Sequence, residues 1–347
     1  MVVKMAATIK DIAKLTGVSH SAVSYVLNGK GRVSEETRRR ILETAQEIGY
    51  VPNRNARNLA KKVYGKIGLF IPGLEYLKTS FFFNNLVSGV LSVVEQTGND
   101  LFLGLTKDDY QNFLTGSFDV DGAIFLHPVN DDDYYKLLFS KKVPFVMVGR
   151  PEVAYENMVT YIDVDNLAIS YNATKMMLEQ KHRKILLIVG DGKLTISYDQ
   201  LNGYQMALDE YGIGYDEGLV IHSDYVLRDK VGGLKEVLKE HPDTTAIVAS
   251  SDTQAISVMN ELSHMGLSVP GDISVVCLSG SNITNFYNPA ITGMINPSFE
   301  LGRQTALKVC DLISRKTLRP SSMIVDYTLY EGSSIAIPRE TLLSFKD

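Results

Sequence analysis

The stretch Thr8–Asn28, TIKDIAKLTGVSHSAVSYVLN, contains two short amphipathic segments that meet at a glycine. Apolar residues at helical spacing predict helices over Ile9–Leu15 and Ser19–Leu27, with Gly17 at the turn. The second helix is expected to bury Val23, Val26 and Leu27 and to present polar side chains outward. This layout is typical of a helix-turn-helix, whose second helix enters the DNA major groove. An ordinary helix pair within a larger core is the alternative at this point.

The residues that follow extend this small helical unit. Thr8 and Asp11 form the capping-box pattern of a helix start, and Ser34 is placed to cap a third helix. The predicted inner stripe of that helix contains Ile41, Leu42, Ala45 and Ile48. Pro52 blocks continuation. The polar segment that begins at Asn53 is too short for a stable helix without a partner such as its symmetry mate or DNA.

Charge is distributed unevenly along the 347 residues. Residues 1–63 contain 12 Lys and Arg against 5 Asp and Glu, whereas the rest of the chain contains 23 against 35. A basic segment on an acidic body predicts that contact with a polyanion is confined to the first segment. A chance asymmetry with a solvated basic face is the alternative.

Several classes of protein are disfavoured. No apolar run approaches the roughly 18 residues of a membrane span, and the N-terminus lacks the apolar core of a secretory signal, so we expect a cytoplasmic protein. Cys277 and Cys310 form neither a metal-ligand set nor a disulfide framework. The sequence has no phosphate-binding glycine motif, HExxH pair or GxSxG elbow, and the run Asp131–Asp133 indicates a helix start. We therefore expect no enzyme, cofactor or metal.

From Lys66 onward, apolar runs alternate with helical patterns. Strands are predicted over Ile67–Ile71, Leu101–Leu105, Gly122–Leu126, Phe145–Val148, Ile185–Val189, Leu219–His222, Ala246–Ala249 and Ile273–Leu278. Helices are predicted over Phe83–Thr97, Asn166–Gln180, Asp199–Tyr211, Lys230–Lys239, Thr253–Met265 and Phe299–Ser314. This alternation predicts parallel sheets covered on both faces, in two α/β lobes with a ligand cleft between them.

The motifs TIKDIAKLTGVS, AVSYVLNGKGRVSEETRRRI and GYVPNRNARNLA closely resemble the LacI/GalR family of bacterial transcription regulators. Further along, IGLFIP, VDGAIF, VPFVMVGR, IDVDN, QLNGYQMAL, SSDTQAI and GLSVPGDISVV occur in the family's order. The resemblance implies an all-α helix-turn-helix headpiece, a hinge helix and a two-lobed α/β effector domain like periplasmic sugar-binding proteins. We expect the headpiece at 1–63, with the hinge at about 53–60, and the effector and dimerisation domain at 64–347. The N-lobe would comprise 64–162 and 296–324, and the C-lobe 163–295 and 325–347.

The resemblance also implies which headpiece residues contact DNA. His20, Ser21 and Tyr25 would reach base edges, although the family usually has Arg or His at the Tyr25 position, and Tyr cannot make the bidentate contact of Arg to guanine. Phosphate contacts would come from Thr8, Ser19, Ser24, Asn28 and Asn53. Simple capping is the alternative for the serines and threonines, and a solvated surface position is the alternative for His20.

The hinge would place Leu59 as a wedge that opens a central base step in the minor groove, flanked by Asn55 and Arg57. Packing of Leu59 against its symmetry mate is the alternative.

For the effector cleft, the resemblance implies Phe82, Phe83, Arg150, Asp163, Gln200, Tyr225, Ser251 and Ser279. Core packing is the alternative for the aromatic residues. The stretch before them, PGLEYLKTSF, is expected to be a loop several residues longer than is usual in the family. Sugar-binding members carry Arg where this chain has Gln200, commonly Asn where it has Ser251, and Asp where it has Ser279. Arg and Asp fix vicinal hydroxyls through charge-assisted hydrogen bonds. We therefore hypothesise that the effector is not a simple free sugar held in the usual way, but a less polar metabolite, a modified sugar, or nothing.

The function expected from these features is sequence-specific regulation of carbohydrate or related metabolic genes, most simply repression. A homodimer would bind a pseudo-palindromic operator in double-stranded DNA, and an effector would shift its affinity. Two alternatives stay open, namely a regulator switched by a phosphocarrier protein and a solute-binding protein. The basic headpiece and the absent signal peptide argue against the second.

Overall fold

The structure is a computed structural model of one chain. It describes residues 7–27, 33–51, 58, 63–71, 73–116, 119–126, 128–129, 131–141, 143–315, 319–340 and 343. The chain divides into two compact units, Met1–Tyr64 and Gly65–Asp347.

Within the described residues of the first unit, the helices with defined bounds are α1 (Ile9–Thr16), α2 (His20–Leu27) and α3 (Glu35–Glu47). Thr8 caps α1 through the predicted capping box, and Gly17 ends it with a φ of +67°, a left-handed conformation that glycine adopts without strain. Ser34 caps α3 by accepting a hydrogen bond from the N–H of Thr37. The buried apolar side chains of the unit come from all three helices and are Ile12, Val23, Val26, Ile41 and Ala45.

Two leucines do not lie where their spacing predicted. Leu15 is 63% exposed because Thr16 occupies the core-facing place in the last turn of α1, where its hydroxyl donates to the carbonyl of Ile12. Leu42 is 47% exposed, since it lies about 100° around α3 from the buried Ile41. The assignment of Leu42 to the inner stripe of α3 was wrong, and Leu27, which was predicted to be buried, is only half-buried.

The second unit contains two six-stranded sheets. The first sheet comprises β1 (Lys66–Phe70), β2 (Asp100–Gly104), β3 (Gly122–Leu126), β4 (Phe145–Val148), β5 (Tyr161–Asp163) and β11 (Ser322–Ile324), in the order β11-β5-β4-β3-β1-β2. The second comprises β6 (Ile185–Val189), β7 (Val220–His222), β8 (Ala246–Ala249), β9 (Ser274–Gly280), β10 (Thr292–Ile295) and β12 (Thr328–Tyr330), in the order β12-β10-β9-β8-β6-β7. All pairings are parallel except that of β10 with β12.

Helices pack against each sheet and define two lobes. The first lobe adds α4 (Leu74–Thr79), α5 (Phe81–Thr97), α6 (Lys107–Thr115), α7 (Asp132–Ser140) and α12 (Ser298–Arg315) to the first sheet. The second lobe adds α8 (Asn166–Glu179), α9 (Thr195–Glu210), α10 (Leu234–Glu240) and α11 (Asp252–His264) to the second sheet. The parallel α/β organisation predicted from the alternation of patterns is thereby confirmed.

Helices α5 and α12 approach each other at two glycines. A Cβ on Gly302 would lie 2.1 Å from the carbonyl oxygen of Leu86, and one on Gly89 would lie 2.0 Å from that of Phe299. Only glycine permits this backbone contact, which fixes α12, late in the chain, against the first lobe.

One predicted loop is wrong. The stretch before the aromatic pair, PGLEYLKTSF, contains α4, which is stabilised by a 2.8 Å ion pair between Glu75 and Lys78 and by the hydroxyl of Thr79 on the carbonyl of Glu75. A helix of six residues is too short to show a clear apolar period. Among the described residues, no helix has the length and apolar character required to cross a membrane.

Candidate functional site

Helix α2 presents polar side chains to the solvent. His20, Ser21 and Tyr25 are exposed, as the sequence predicted, and Tyr25 is 55% exposed. The opposite face buries Val23 and Val26, which hold α2 against the other two helices. A helix held in this way can present its outward side chains to base edges in a major groove.

Two of the predicted phosphate-contact residues also cap helices. The hydroxyl of Thr8 donates to Asp11 Oδ2 at 2.8 Å and accepts from the N–H of Asp11. The Thr8 hydroxyl, and after it the Thr8 main-chain N–H, donate to the Asp11 carboxylate and lower its pKa. Ser19 Oγ accepts from the N–H of Ala22 at 3.2 Å, whereas Ser24 is half-buried within α2. Capping is therefore established for Thr8 and Ser19, and it leaves both side chains exposed.

The remaining predicted DNA contacts, namely Asn28, Asn53, Asn55, Arg57 and Leu59, lie outside the described residues.

The second unit contains a cavity between its two lobes that is partly open to solvent. Strands β3, β4 and β5 and strands β8 and β9 end at this cavity, as expected for the carboxyl edge of parallel sheets. This cavity is called the cleft. It is lined by Ser80, Phe82, Phe83, Leu126, Pro128, Val148, Gly149, Asp163, Thr195, Ile196, Tyr225, Ser250, Ser251, Asp252, Ser279 and Leu301. Six of the eight residues predicted for the effector site are among them.

Aromatic side chains form part of the cleft wall. Phe82 and Phe83 lie in the first turn of α5 and pack edge to face, with ring centroids 5.4 Å apart. Tyr225 is 7% exposed, and its hydroxyl lies 3.4 Å from Ser250 Oγ. Gly190 permits this position of the tyrosine, since a Cβ there would lie 2.4 Å from the phenol oxygen. The aromatic rings can thus both pack in the lobes and contact an apolar face of a ligand.

Two buried carboxyl groups face the cleft. Asp163 accepts hydrogen bonds from the N–H groups of Arg150 and Val164 and from the side chain of Asn166. Burial outweighs these bonds and raises the pKa of Asp163 to about 7. Asp252 accepts from Ser281 Oγ at 2.6 Å, and burial raises its pKa as well. Both groups can accept hydrogen bonds from ligand hydroxyls.

Ser251 and Ser279 of the cleft differ in hydrogen bonding and in exposure to solvent. Ser251 caps α11 by accepting from the N–H of Gln254 at 3.2 Å, and its hydroxyl also contacts that of Thr253. Ser279 lines the cleft near the end of β9 and is partly exposed.

Arg150 and Gln200 do not line the cleft among the described residues. The guanidinium of Arg150 binds Asp199 instead, with Nη2–Oδ1 at 2.5 Å and Nε–Oδ2 at 3.0 Å, and this hydrogen bonding raises the pKa of Arg150. Gln200 is fully buried in α9, and neither of its amide atoms has a hydrogen-bond partner within the described part of the chain.

Sequence reasoning missed several lining residues. Thr195 and Ser80 gave no signal, because a single hydroxyl residue beside a helix start is indistinguishable from a cap. Asp252 stands inside the motif SSDTQAI and was signalled by its neighbours, yet only its burial beside Ser281 shows that it faces the cleft. The apolar lining residues Leu126, Pro128, Val148, Ile196 and Leu301 follow core patterns in the sequence.

Each of the two units matches a known protein family. Residues 8–53 match the family of bacterial regulatory proteins of the lacI type, and residues 174–335 match a periplasmic binding protein-like domain. The HTH-type transcriptional regulator CelR of Thermobifida fusca is 31% identical over 325 residues, which cover 92% of this chain and 95% of that protein. Catabolite control protein A of Priestia megaterium is 25% identical over 324 residues, which cover 91% and 96% of the two chains.

Solved structures show the same architecture. A complex of the transcriptional regulator CelR with cellobiose superposes with a TM-score of 0.72 at 29% identity and covers 94% of this chain and 99% of that one. A lac repressor dimer bound to operator and the anti-inducer ONPF gives a TM-score of 0.80 at 20% identity, covering 95% and 99%, and is similar in fold. The predicted fold class, a helix-turn-helix unit followed by a two-lobed α/β unit, is confirmed.

Proposed function

This chain belongs to the lacI family of bacterial regulatory proteins, and we propose that it is a sequence-specific DNA-binding transcriptional regulator controlled by a small molecule. The observation that carries the proposal is one chain that combines an exposed helix-turn-helix face with a cleft between two parallel α/β lobes. The first feature suits a DNA groove, and the second suits a small ligand.

In this proposal the headpiece, residues 1–63, binds DNA. His20, Ser21 and Tyr25 are the base-reading candidates, because they are the exposed polar residues of α2. Thr8 and Ser19 position the unit on phosphates, as do Ser24, Asn28 and Asn53 by resemblance. Leu59, between Asn55 and Arg57, enters the minor groove by the same resemblance.

The domain at 64–347 binds the effector and pairs with a second copy, so that a homodimer meets a two-fold symmetric operator. The effector candidates are the predicted residues that line the cleft: Phe82, Phe83, Asp163, Tyr225, Ser251 and Ser279. Their aromatic faces, hydroxyls and carboxyls suit a ligand that has one apolar face and several hydroxyl groups.

A saccharide or a modified saccharide has this chemistry, and the related CelR occurs in a complex with cellobiose. We therefore propose a repressor of carbohydrate genes that acts in the cytoplasm, not an enzyme. The cleft supports a sugar-derived effector but does not use Arg150 or Gln200 to hold it.

Two measurements test the proposal with the full-length protein. Selection of bound sequences from random DNA should return a two-fold symmetric site, whereas recovery of unrelated sequences would reject sequence-specific regulation. Calorimetry with cellobiose and a panel of mono- and disaccharides, repeated with operator DNA, should find a sugar that changes DNA affinity. If no sugar binds, and a phosphocarrier protein changes DNA affinity instead, the effector part of the proposal fails while the DNA part stands.

A further inference from the structure

The two lobes of the second unit are joined by a salt bridge at the side of the cleft. Arg150 follows β4 in the first lobe, and Asp199 lies in α9 of the second lobe, 49 residues later. Their contact is bidentate, and the exposed fractions of the two side chains are only 20% and 10%. A bidentate arginine–carboxylate pair that is largely shielded from solvent is among the stronger and more directional polar contacts.

Further hydrogen bonds beside this pair also cross from lobe to lobe. The hydroxyl of Thr195, at the start of α9, donates to the carbonyl of Arg150 at 2.6 Å. The N–H of Thr195 donates to the carbonyl of Pro128 at 3.2 Å, and Val129 pairs with Leu194 in an isolated antiparallel bridge. These contacts form a seam, defined here as residues 128–129 and 194–195 together with Arg150 and Asp199.

The seam is continuous with the cleft wall. Pro128, Thr195 and Asp163 line the cleft, and Asp163 Oδ2 accepts from the N–H of Arg150 at 2.7 Å. Separating the lobes at this side would therefore pull the guanidinium away from Asp199 and leave two poorly hydrated charges unpaired. After Asp199, Glu156 also raises the pKa of the Arg150 guanidinium, but Glu156 lies in the same lobe and accepts from the Tyr161 hydroxyl.

We propose that Arg150 and Asp199 form a latch that favours the closed arrangement of the two lobes without contacting the effector. Arg150 is then a positioning residue, and its role differs from the ligand role that the sequence implied for it. Because an effector shifts an equilibrium only by its differential affinity for the two arrangements, the latch sets how far a given ligand can shift the lobes. That consequence rests on the proposed function, whereas the latch itself is tested without DNA or effector.

The test is hydrogen–deuterium exchange of the full-length protein, with no ligand added. The amide of Thr195 reports seam opening directly, because its hydrogen bond crosses between lobes. In Arg150→Met and Asp199→Asn, exchange of this amide should become about tenfold faster or more, while strand β6 keeps its protection. The double variant should exchange no faster than the faster single variant, since both remove the same contact.

A matched control is the bidentate pair of Glu300 with Arg303, which lies within α12 and has both N–O distances at 2.8 Å. Glu300→Gln should leave Thr195 exchange unchanged. If Arg150→Met does not fold, Arg150→Lys and Asp199→Asn still test the latch, and Arg150→Lys should show a smaller effect of the same sign. Unchanged exchange at Thr195, or an equal increase in β6 and the seam, would overturn the proposal.

Discussion

Asp163 Oδ2 accepts a 2.7 Å hydrogen bond from the main-chain N–H of Arg150, so a buried carboxyl at the end of β5 is tied to the residue that crosses to the second lobe. The carboxylate of Asp199 lies near enough to raise the pKa of Asp163 further, although burial is the main cause. The cleft therefore contains a group that changes its charge near neutral pH, with a pKa of about 7.

The first prediction concerns the pH dependence of stability. In the folded chain Asp163 keeps its proton up to about pH 7, whereas in the unfolded chain it ionises near 3.8. Its contribution to stability is therefore fully present below the unfolded pKa and is lost as pH rises through the folded one. In Asp163→Asn that loss is absent. Between pH 3.8 and about pH 7, the unfolding free energy of the variant should therefore rise relative to that of the wild type. The rise is about 1.4 kcal/mol for each unit by which the folded pKa of Asp163 exceeds the unfolded one.

Urea unfolding of both proteins at about pH 5 and about pH 8 measures the larger part of this change, because the loss begins near the unfolded pKa. The NH2 group of the asparagine would face a main-chain N–H donor, that of Arg150 or Val164, so the variant is expected to be less stable at the lower pH. The prediction is tested by the difference in unfolding free energy between variant and wild type, which should be larger at about pH 8 than at about pH 5. Parallel stability curves would show that Asp163 does not titrate in this range.

The second prediction concerns the contact of α5 with α12. Gly302→Ala would place a methyl group 2.1 Å from the carbonyl oxygen of Leu86 and would force the helices apart. We expect a loss of about 1–3 kcal/mol in unfolding free energy, as for other overpacked sites. Ser88→Ala, on the exposed face of α5, is the matched control and should change stability little. Equal thermal midpoints for both variants would mean that the helices separate without cost.

The third prediction concerns the tyrosine in the cleft wall. Gly190→Ala would bring a Cβ within 2.4–2.7 Å of the Tyr225 ring and hydroxyl and would displace them. Once a sugar ligand is identified, calorimetry should show its affinity reduced about tenfold or more, with DNA binding in the absence of sugar retained. Gly192→Ala is the control, because its Cβ would meet only His222, at an ordinary 3.7 Å. The same affinity in both variants would remove Tyr225 from the effector site.

The fourth prediction concerns base reading by α2. Tyr25→Ala removes an exposed ring and leaves the core of the unit intact. If Tyr25 contacts a base edge, binding to the selected operator should weaken by about 1–3 kcal/mol. Binding to unrelated DNA and the salt dependence should change little. Titrations by fluorescence anisotropy at two salt concentrations check this, and equal losses on both DNAs would instead indicate a phosphate contact.

Much of the architecture followed from local features of the sequence. The capping box of Thr8 with Asp11 and the glycine at position 17 act within a few residues, and the structure contains both. Strands such as Gly122–Leu126 and Ile185–Val189 were predicted at their observed bounds, because their residues are buried on both faces and form continuous apolar runs. Resemblance to a family then located six of the lining residues.

Tertiary structure decided what those residues contact. The position of Arg150 after a strand was predictable, but its charge is directed to Asp199, which no local pattern connects to it. Gln200 stands at a ligand position by resemblance, yet it is fully buried and does not line the cleft. Leu15 lies at the spacing of the apolar residues of its helix, but its side chain is exposed to solvent. Helical period and capping depend on near neighbours along the chain. Which side chains meet across two lobes depends on packing between segments that the sequence separates by dozens of residues.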